Sequence, residues 1–397
     1  MSEPMSPDPT GFLVDAANDT PLIRLRHLLP ASVEKDSRRY AFNRVSLAPR
    51  SGERVPKAGE GRVIAETPAH RAVTPARNDR PLVLIGGLAP DDRDRVREFA
   101  LRLNAPVYAE ALSGLREDAD LAALHLRNER LLGRAGFTRV IRIGNVPTLR
   151  FWRDLDEKFS GVPVVSYSAL PFRGLSRGDV HALEELPRSV SPVDRDEDLF
   201  ARDRDLAERL DRILDVEPES ELALVRALSR DLPHGARVYL GNSLPIREWD
   251  LVATRQERGF TLEANRGANG IDGQLSTFFG WCSPSAPNVA IAGDLTALYD
   301  LNAPWIVPQL DSDIEFQLYI INNGGGRIFS RVPSLRSLSE DARERLIENS
   351  HSLSFEHWAA MWSLAYNNRD AGRAVIEIVP DPDASRRVWD RFDELWA

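Results

Sequence analysis

The chain has 397 residues, enough for two or three domains with a sizeable buried core. Hydrophobic residues make up 42% and charged residues 28%, as in an ordinary globular protein, and the net charge of −9 argues against a nucleic-acid partner. The single cysteine, Cys282, excludes an intrachain disulfide and the usual zinc knuckles. The N-terminus has no apolar signal region, and no apolar run reaches the roughly 18–20 residues that span a bilayer. The sequence therefore predicts a cytoplasmic protein without a membrane segment.

Residues 1–79 form the first predicted region, a poorly structured tail. The stretch 38–62 is rich in Arg, Gly, Ser and Pro and lacks the periodicity of a helix or a strand. A disordered or loosely docked tail is the favoured interpretation. A partly ordered linker and a nucleic-acid-binding arm are the alternatives.

Alternating strands and helices begin at Arg80 and predict a central α/β domain over residues 80–190. Apolar runs at 80–88, 105–111, 137–145 and 162–168 indicate strands, 90–104 has the pattern of an amphipathic helix, and 118–136 has the length of another helix. Such alternation is typical of a doubly wound parallel sheet. The turn "LIGGLAP" falls short of G-x-G-x-x-G, so it indicates an ordinary strand-to-helix turn rather than a dinucleotide site.

A second alternating domain is predicted over residues 191–397. It begins with a highly charged helix at 190–215 that carries an apolar side formed by Leu199, Leu206, Leu210 and Ile213. We expect this helix to cover the second domain; an exposed helix that binds a partner is the alternative. Strands are indicated at 236–242, 260–266, 288–294, 316–323 and 373–379. The predicted fold class is α/β, with two doubly wound parallel-sheet domains after the tail.

Asp294 and the pair Asn322–Asn323 each follow an apolar strand of the second domain. The two asparagines come 28 and 29 positions after Asp294, and one crossover to a neighbouring parallel strand takes roughly 30 residues. We therefore expect these side chains to lie side by side at one sheet edge. Carboxylate and amide oxygens suit Mg²⁺, and the glycines of "NNGGGRIF" leave backbone N–H groups for a diphosphate. The alternative is an Asp that caps a helix and an Asn in a turn.

This spacing resembles the signature of enzymes that depend on thiamine diphosphate (ThDP), with GDL in place of the commoner GDG. Five longer motifs narrow the resemblance. They are "GNSLPIREWD" (241–250), "NRGANGIDGQLST" (265–277), "GDLTALYDLN" (293–302), "NNGGGRIFSRVPS" (322–334) and "FEHWAAMW" (355–362). Together they resemble 2-succinyl-5-enolpyruvyl-6-hydroxy-3-cyclohexene-1-carboxylate (SEPHCHC) synthase, the MenD family of menaquinone biosynthesis. The resemblance covers residues 80–397 and is strongest from 237 onward.

The resemblance implies a site for ThDP and Mg²⁺, or Mn²⁺ in its place. Its metal ligands would be Asp294, Asn323 and the backbone carbonyl of Gly325. The remaining implied cofactor-binding residues are Gly270, Ile271, Gly293, Leu295, Ile328 and Phe329. In the family an aliphatic residue at the position of Ile271 supports the bent cofactor, and residues matching Ile328 and Phe329 form the apolar wall beside its thiazolium ring. The alternative for Ile271 and Phe329 is a place in the hydrophobic core.

The resemblance also implies substrate-binding residues. Ser243, Arg247 and Arg266, together with Arg150 from the central domain, match groups that hold substrate carboxylates. The family's substrates, 2-oxoglutarate and isochorismate, are dicarboxylates, for which the arginine fork is chemically apt. The implied reaction decarboxylates 2-oxoglutarate and adds its succinyl unit to isochorismate. Surface salt bridges are the alternative for Arg247 and Arg266.

The sequence departs from the family pattern at several positions. Asn269 stands where a small Ser is common, and Arg327 stands where a neutral residue is common. Pro304 and Pro308 lie in a segment that the family keeps helical, where each would remove a hydrogen bond. We expect the cofactor contacts and this segment to differ from the family accordingly.

The largest departure concerns the family's pyrimidine-binding domain, whose glutamate activates the cofactor. Residues 1–79 do not have the length or composition of that domain, so no catalytic residue is identified. We expect a homo-oligomer or a complex with a polypeptide that carries a pyrimidine domain. A catalytically inactive remnant of the ThDP fold is one alternative. Another ThDP-dependent carboligase or decarboxylase is the second, and the two arginine motifs at 241–247 and 265–267 disfavour it.

Overall fold

The computed structural model describes residues 79–267, 270–332, 335 and 338–396. The predicted tail lies outside the described residues except for Asp79, and so does Asn269. The described residues form two parallel sheets with helices between their strands. The predicted α/β fold class is confirmed.

The first sheet contains five parallel strands in the order β2-β1-β3-β4-β5 within the described residues. The strands are β1 (Pro81–Ile85), β2 (Val107–Ala109), β3 (Arg139–Ile143), β4 (Val164–Tyr167) and β5 (Asp179–His181), and the helices are α1 (Arg93–Leu103), α2 (Glu129–Leu132) and α3 (Arg150–Glu157). All five residues of β1 are buried because helices and loops cover both faces of a parallel sheet. This explains why the strand is a continuous apolar run.

The prediction of a helix over 118–136 is wrong for most of the segment. Helix α2 occupies only Glu129–Leu132, and the residues before it form turns. The backbone of this segment pairs with β2 instead: Val107 N–H donates to Leu124 O at 2.8 Å, and Leu126 N–H donates to Val107 O at 2.8 Å. Leu121, Leu124 and Leu126 are buried in this non-helical conformation, so their apolar pattern did not indicate a helix. Strand β5 was not predicted, because Asp179–His181 lies at the edge of the sheet, is exposed or half-buried and contains no apolar run.

The charged helix is present as α4 (Glu197–Val216). The Asp196 carboxylate caps it by accepting a hydrogen bond from Leu199 N–H at 3.0 Å. Leu199, Leu206 and Leu210 are buried in the core that joins both sheets, and Ile213 packs against that core. The predicted apolar side of the helix is therefore confirmed. Within the described residues no helix is long and apolar enough to cross a membrane.

The second sheet contains six parallel strands in the order β10-β11-β9-β8-β6-β7 within the described residues. The strands are β6 (Arg237–Leu240), β7 (Thr261–Glu263), β8 (Asn288–Gly293), β9 (Phe316–Ile321), β10 (Ala365–Tyr366) and β11 (Arg373–Ile378). The helices are α5 (Glu221–Asp231), α6 (Leu244–Val252), α7 (Gln274–Trp281), α8 (Asp294–Tyr299), α9 (Glu340–Arg343), α10 (Glu356–Met361) and α11 (Pro382–Glu394). The strand order reverses between β6 and β8, and ligands bind beyond the carboxyl ends of strands at such a switch point.

The two prolines at 304 and 308 do change the segment that contains them. Ala303–Gln309 forms a 3₁₀ helix, with Pro304 in its first turn and Pro308 inside it. Proline has no N–H to donate, so a regular α-helix is disfavoured here. This departure from the expected α-helix follows directly from the sequence.

Candidate functional site

The structure brings Asp294 and the asparagine pair to the same edge of the second sheet. Strands β8 and β9 are neighbours, with Gly293 in register with Ile321. The Asp294 Oδ2 atom accepts hydrogen bonds from the N–H groups of Gly324 and Gly325, both at 2.8 Å. The spacing of 28 and 29 residues thus corresponds to one crossover between adjacent strands.

Asp294 is 2% exposed and begins helix α8. Burial raises the pKa of its carboxyl, while the N–H groups of Gly325, Leu295 and Gly324 and the nearby His351 oppose that rise. The Oδ1 atom accepts from Leu295 N–H at 2.6 Å, and His351 Nε2 lies 3.3 Å from Oδ2. The carboxyl group is therefore held rigidly by the two loops that it joins. Gly293 and Leu295, on either side of it, are half-buried.

The two asparagines have different surroundings. Asn322 Nδ2 donates to Leu353 O at 2.7 Å and to Glu377 Oε1 at 2.6 Å, which fixes the end of β9. Asn323 Nδ2 donates to both carboxyl oxygens of Glu221, at 2.9 and 3.1 Å. The Asn323 Oδ1 atom is buried and accepts no hydrogen bond from the described residues. Buried acceptors are nearly always satisfied, so this oxygen is suited to a cation.

The glycines after Asn323 are required by the backbone. Gly324 has φ +79° and Gly325 has φ +133°, both in the region that favours glycine. A Cβ atom on Gly325 would lie 2.7 Å from the carbonyl oxygen of Glu348. The Gly325 carbonyl accepts from Arg327 N–H at 2.8 Å, leaving its second lone pair. The loop therefore passes close to its neighbours, and the N–H groups of its glycines donate to Asp294 and to the carbonyl of Glu348.

Arg327 anchors this loop. Its Nε donates to Asn323 O at 3.1 Å, and its Nη1 lies 2.9 Å from Glu348 Oε2. Glu348 is fully buried and also accepts from Arg343 Nε at 2.7 Å. The 3₁₀ helix Arg327–Arg331 then carries Ile328 and Phe329, and the Phe329 ring is 38% exposed. The cationic residue that replaces the family's neutral one is thus part of a structural ion-pair network.

The "GID" segment lies beside the end of β6. Gly270 O accepts from Asn242 Nδ2 at 2.8 Å and from Gln274 Nε2 at 2.6 Å. Gln274 Oε1 in turn accepts from Asn242 N–H at 2.8 Å, and both side chains are buried. Ile271 is half-buried. These contacts hold Gly270 and Ile271 at the carboxyl edge of the second sheet.

A cavity of about 400 Å³ lies between the two sheets. Its lining residues are Tyr108, Arg127, Asn128, Glu129, Arg130, Thr148, Leu149, Arg150, Arg153, Leu244, Ile246, Arg247, Glu248, Asp250, Leu251, Arg266, Ile328, Arg331, Val332, Trp389, Phe392 and Trp396. The seven arginines and three acids of this set give the cavity a cationic wall, which favours an anionic ligand. It brings together Arg150, Arg247, Arg266 and Ile328 from the predicted site. Ser243 and Phe329 lie next to lining residues without lining the cavity themselves.

Ser243 and Arg247 lie at the start of helix α6. Ser243 has φ +73°, an uncommon value for a residue with a side chain, and its carbonyl accepts a hydrogen bond from Arg247 Nη1. The Arg247 side chain reaches solvent. Desolvation lowers its pKa, and repulsion from Arg266 lowers it further. A strained backbone and two adjacent cations are features that accompany ligand sites.

Arg266 is half-buried, and its Nη1 donates to Asn242 Oδ1 at 2.7 Å. Burial lowers the pKa of Arg266, and the nearby Glu110 and Asp250 oppose that change. Glu110 is buried and accepts from the N–H and Oγ1 of Thr148, both at 2.7 Å. Burial, then repulsion from Asp250, raises the pKa of Glu110 to about 7. Neither Glu110 nor Asp250 was predicted from the sequence as a site residue. Glu110 nevertheless follows the apolar strand β2 directly, much as Asp294 follows β8.

Arg150 is placed on the rim of the cavity and already has carboxylate partners. Its Nε lies 2.7 Å from Asp154 Oδ1 and its Nη2 lies 2.7 Å from Glu157 Oε2, both on its own helix α3. The side chain is 52% exposed. Arg150 is therefore less available to a ligand than Arg247 or Arg266.

The oxygen atoms at the sheet edge that could bind a metal ion include only one carboxylate, that of Asp294, so they do not form a cluster of charged ligands. Within the described ranges no group of three or more His, Cys, Asp or Glu side chains is placed to hold a metal ion. A site built from Asp294, the amide oxygen of Asn323 and a backbone carbonyl contains one carboxylate and needs no such cluster. The unsatisfied Asn323 oxygen beside a fixed carboxylate fits a hard divalent cation. Fold and site together define an α/β protein with a cationic cavity. Near the cavity lies a sheet edge that carries a carboxylate, an amide oxygen and a glycine-rich loop.

The chain is similar in sequence to several known proteins. No protein-family model matches the chain. A protein from Bdellovibrio bacteriovorus is 38% identical over 337 residues, which are 80% of this chain and 62% of that protein. A second from Akkermansia muciniphila is 35% identical over 327 residues, 77% of this chain and 60% of its own length. A third from Yersinia enterocolitica is 30% identical over 308 residues, 75% of this chain and 54% of its own length.

All three are named 2-succinyl-5-enolpyruvyl-6-hydroxy-3-cyclohexene-1-carboxylate synthase. Over these matched residues the chain is therefore a homologue of proteins named SEPHCHC synthase. The chain spans about three fifths of the length of the first two relatives.

Proposed function

We propose that this chain is the diphosphate-binding portion of a SEPHCHC synthase, a ThDP- and Mg²⁺-dependent transferase that forms a carbon–carbon bond. The observation that carries the proposal is the buried Oδ1 of Asn323, which has no hydrogen-bond partner among the described residues, near Asp294 at the edge of the second sheet. The names of the relatives support the same activity and its place in menaquinone biosynthesis.

The sheet edge would hold the cofactor. Asp294, Asn323 Oδ1 and the Gly325 carbonyl would bind Mg²⁺ or Mn²⁺, because these are hard oxygen donors. The glycines of the loop, which lack side chains, would let the diphosphate approach the positive end of α8. Bound ThDP supplies the carbanion chemistry, and the protein supplies binding and orientation. Gly270, Ile271, Ile328 and Phe329 would line the rest of the cofactor site.

The cationic cavity would hold the substrates. Arg247 and Arg266 would bind the carboxylates of 2-oxoglutarate and isochorismate, with Ser243 beside them and Arg150 at the rim. A charge-assisted hydrogen bond strengthens where solvent is excluded, and Arg266 is half-buried. Among the described residues, Arg266 donates to the amide oxygen of Asn242 and Arg247 to the carbonyl of Ser243, so substrate carboxylates would supply anionic acceptors.

The proposed reaction also requires a carboxylate that exchanges a proton with the cofactor's aminopyrimidine ring. We propose that a polypeptide with a pyrimidine domain supplies it, either in a complex with this chain or within a larger assembly. The second candidate function is a ThDP-fold remnant without turnover. The third is another ThDP carboligase or decarboxylase, which the cationic cavity disfavours because monocarboxylate substrates need fewer arginines.

The test is reconstitution. Residues 1–397, purified with saturating ThDP, Mg²⁺, 2-oxoglutarate and isochorismate, should form no SEPHCHC, and a matched pyrimidine-domain polypeptide should restore product formation. The same mixture with the Asp294→Ala chain is the control and should stay inactive. Robust turnover by the isolated chain would contradict the split site. Inactivity of the complete mixture, with ThDP binding intact, would favour the remnant, and turnover of pyruvate alone would favour another ThDP enzyme.

A further inference from the structure

Arg142 is a charged side chain in the interior of the first sheet. It lies on β3, between Leu84 of β1 and Ser166 of β4, and is 0% exposed. All three of its guanidinium nitrogens are buried and have no hydrogen-bond partner among the described residues. Its pKa falls to about 10 through burial, so the group remains charged at neutral pH. No acidic side chain of the described region forms an ion pair with it.

Trp152 provides a second unsatisfied donor at the same place. It lies on α3, and the Arg142 Cζ atom lies over the face of its ring, 5.8 Å from the centroid, in a cation–π contact that leaves the guanidinium N–H groups without acceptors. The indole is 2% exposed, and its Nε1 also lacks a hydrogen-bond partner among the described residues. Gly174, at φ +69°, passes directly over it: a Cβ atom there would lie 3.1 Å from Nε1. The loop that contains Gly174 thus packs against the indole of Trp152.

An arginine in this position requires a compensating group. A buried charge without a partner costs several kcal/mol, and native interiors leave few buried donors unsatisfied. The guanidinium and the indole offer only donors, and the surrounding Leu84, Val140 and Val164 offer no acceptor side chain. The hydroxyl of Ser166 on the neighbouring strand can accept a hydrogen bond, but it is uncharged and does not compensate the cation. Water would accept hydrogen bonds but would leave the positive charge uncompensated. A small anion would do both.

We propose that Arg142 and the indole N–H of Trp152 form an internal site for a small inorganic anion of about the size of chloride. Full enclosure selects an ion that loses its hydration shell easily, so chloride or bromide is favoured over phosphate. The site is separate from the cationic cavity, whose lining does not include Arg142 or Trp152. Its role is to stabilise the first sheet next to helix α3, which carries the cavity residues Arg150 and Arg153.

The test measures the melting temperature as chloride replaces gluconate at constant ionic strength. The wild-type Tm should rise by a few degrees between zero and about 0.2 M chloride, because an ion that binds only the folded state stabilises it. Arg142→Met should remove the dependence on chloride. Arg139→Met is the matched control: Arg139 lies on the same strand and pairs with Asp79 at 2.7 Å, so the chloride effect should remain.

A second variant and a crystal soak keep the proposal testable if Arg142→Met fails to fold. Trp152→Phe keeps the guanidinium and removes one donor, so the rise in Tm should become smaller. Bromide-soaked crystals of the wild-type protein should show an anomalous peak within hydrogen-bonding distance of Arg142. A Tm that does not respond to chloride, an equal response in Arg142→Met or Trp152→Phe, or ordered water without bromide at Arg142 would each overturn the proposal.

Discussion

The sheet edge and the cavity are built in different ways. The edge consists of two short stretches, 293–295 and 322–326, that lie on adjacent strands one crossover apart. The cavity is assembled from side chains that range from Tyr108 to Trp396 and come from both sheets. The edge is therefore determined by local backbone geometry and the cavity by tertiary packing. Substitutions should affect the edge through metal binding and backbone strain, and the cavity through charge.

The largest effect should come from Asp294→Ala. The variant loses a buried carboxylate that is a proposed metal ligand and also holds Gly324 and Gly325. We expect the affinity for ThDP in the presence of Mg²⁺ to fall by at least about 100-fold, measured by calorimetry. Asp272→Ala, at an exposed acid of the neighbouring glycine-rich segment, is the control and should bind as the wild type does. Unchanged affinity in Asp294→Ala would refute the edge as the metal site.

Gly325→Ala should come next, because it tests the backbone geometry of the edge. Its φ of +133° is unfavourable for alanine, and its Cβ would meet the Glu348 carbonyl at 2.7 Å. We expect a loss of about 2–3 kcal/mol in the free energy of unfolding, measured by urea denaturation. Gly293→Ala is the control from the same edge, since a Cβ there has no neighbour within 4 Å. Equal stabilities of the two variants would show that the loop adapts.

Arg266→Met tests the cavity through charge. In the reconstituted enzyme we expect kcat/KM to fall by about 2 kcal/mol of transition-state stabilisation, or roughly 30-fold, because a half-buried charge-assisted contact is lost. Arg247→Met should behave similarly. Arg150→Met is the contrasting variant: its partners Asp154 and Glu157 already occupy the guanidinium, so the loss should stay below about threefold. Wild-type kinetics in Arg266→Met would contradict the substrate assignment.

The smallest effect concerns the pH dependence of stability through Glu263, which lies near the cavity residue Arg266 in the chain. Burial raises the pKa of Glu263, at the end of β7 and three residues before Arg266, to about 7. The folded protein then keeps a proton that the unfolded chain loses near its ordinary value of 4.5, so stability falls as pH rises from about 4.5 to 7. In Glu263→Gln the free energy of unfolding should fall by about 1–2 kcal/mol less over this pH range, measured as unfolding free energy against pH.

Glu257→Gln, at an exposed acid of the loop before β7, is the control for that titration. Parallel pH profiles for the wild type and Glu263→Gln would show that this carboxyl does not retain its proton in the folded state.

The different construction of the edge and the cavity explains which of their features could be predicted from the sequence. The strand ends that carry Asp294 and Asn323 follow from apolar runs and crossover length, which are local properties. Strand β10, with two residues, and the irregular pairing of 118–136 with β2 have no such signal. The acceptors of the two amide nitrogens, Glu377 for Asn322 and Glu221 for Asn323, also lie far along the chain.

Most residues of the cavity could not be predicted from the sequence either. Arg247 and Arg266 were found through family motifs, whereas Arg130 and Trp389 lie in separate segments that only folding brings to the same wall. Their positions depend on packing across the whole molecule, so neither spacing nor periodicity marks them. The substrate-binding role of the predicted arginines stays a prediction until kinetics test it.

Arg116 has a consequence for dissecting the protein into fragments. This buried side chain, from the loop after β2, donates hydrogen bonds to the carbonyls of Trp249, Asp250, Ala253 and Thr254 at and just beyond the end of helix α6. Asp250 returns the contact by accepting from Ala111 N–H at 2.7 Å. A fragment that begins after the first sheet would leave these carbonyls without their donor and expose the apolar core that both sheets share. The two sheets should therefore unfold as one cooperative unit, and shorter fragments of the second sheet should express poorly.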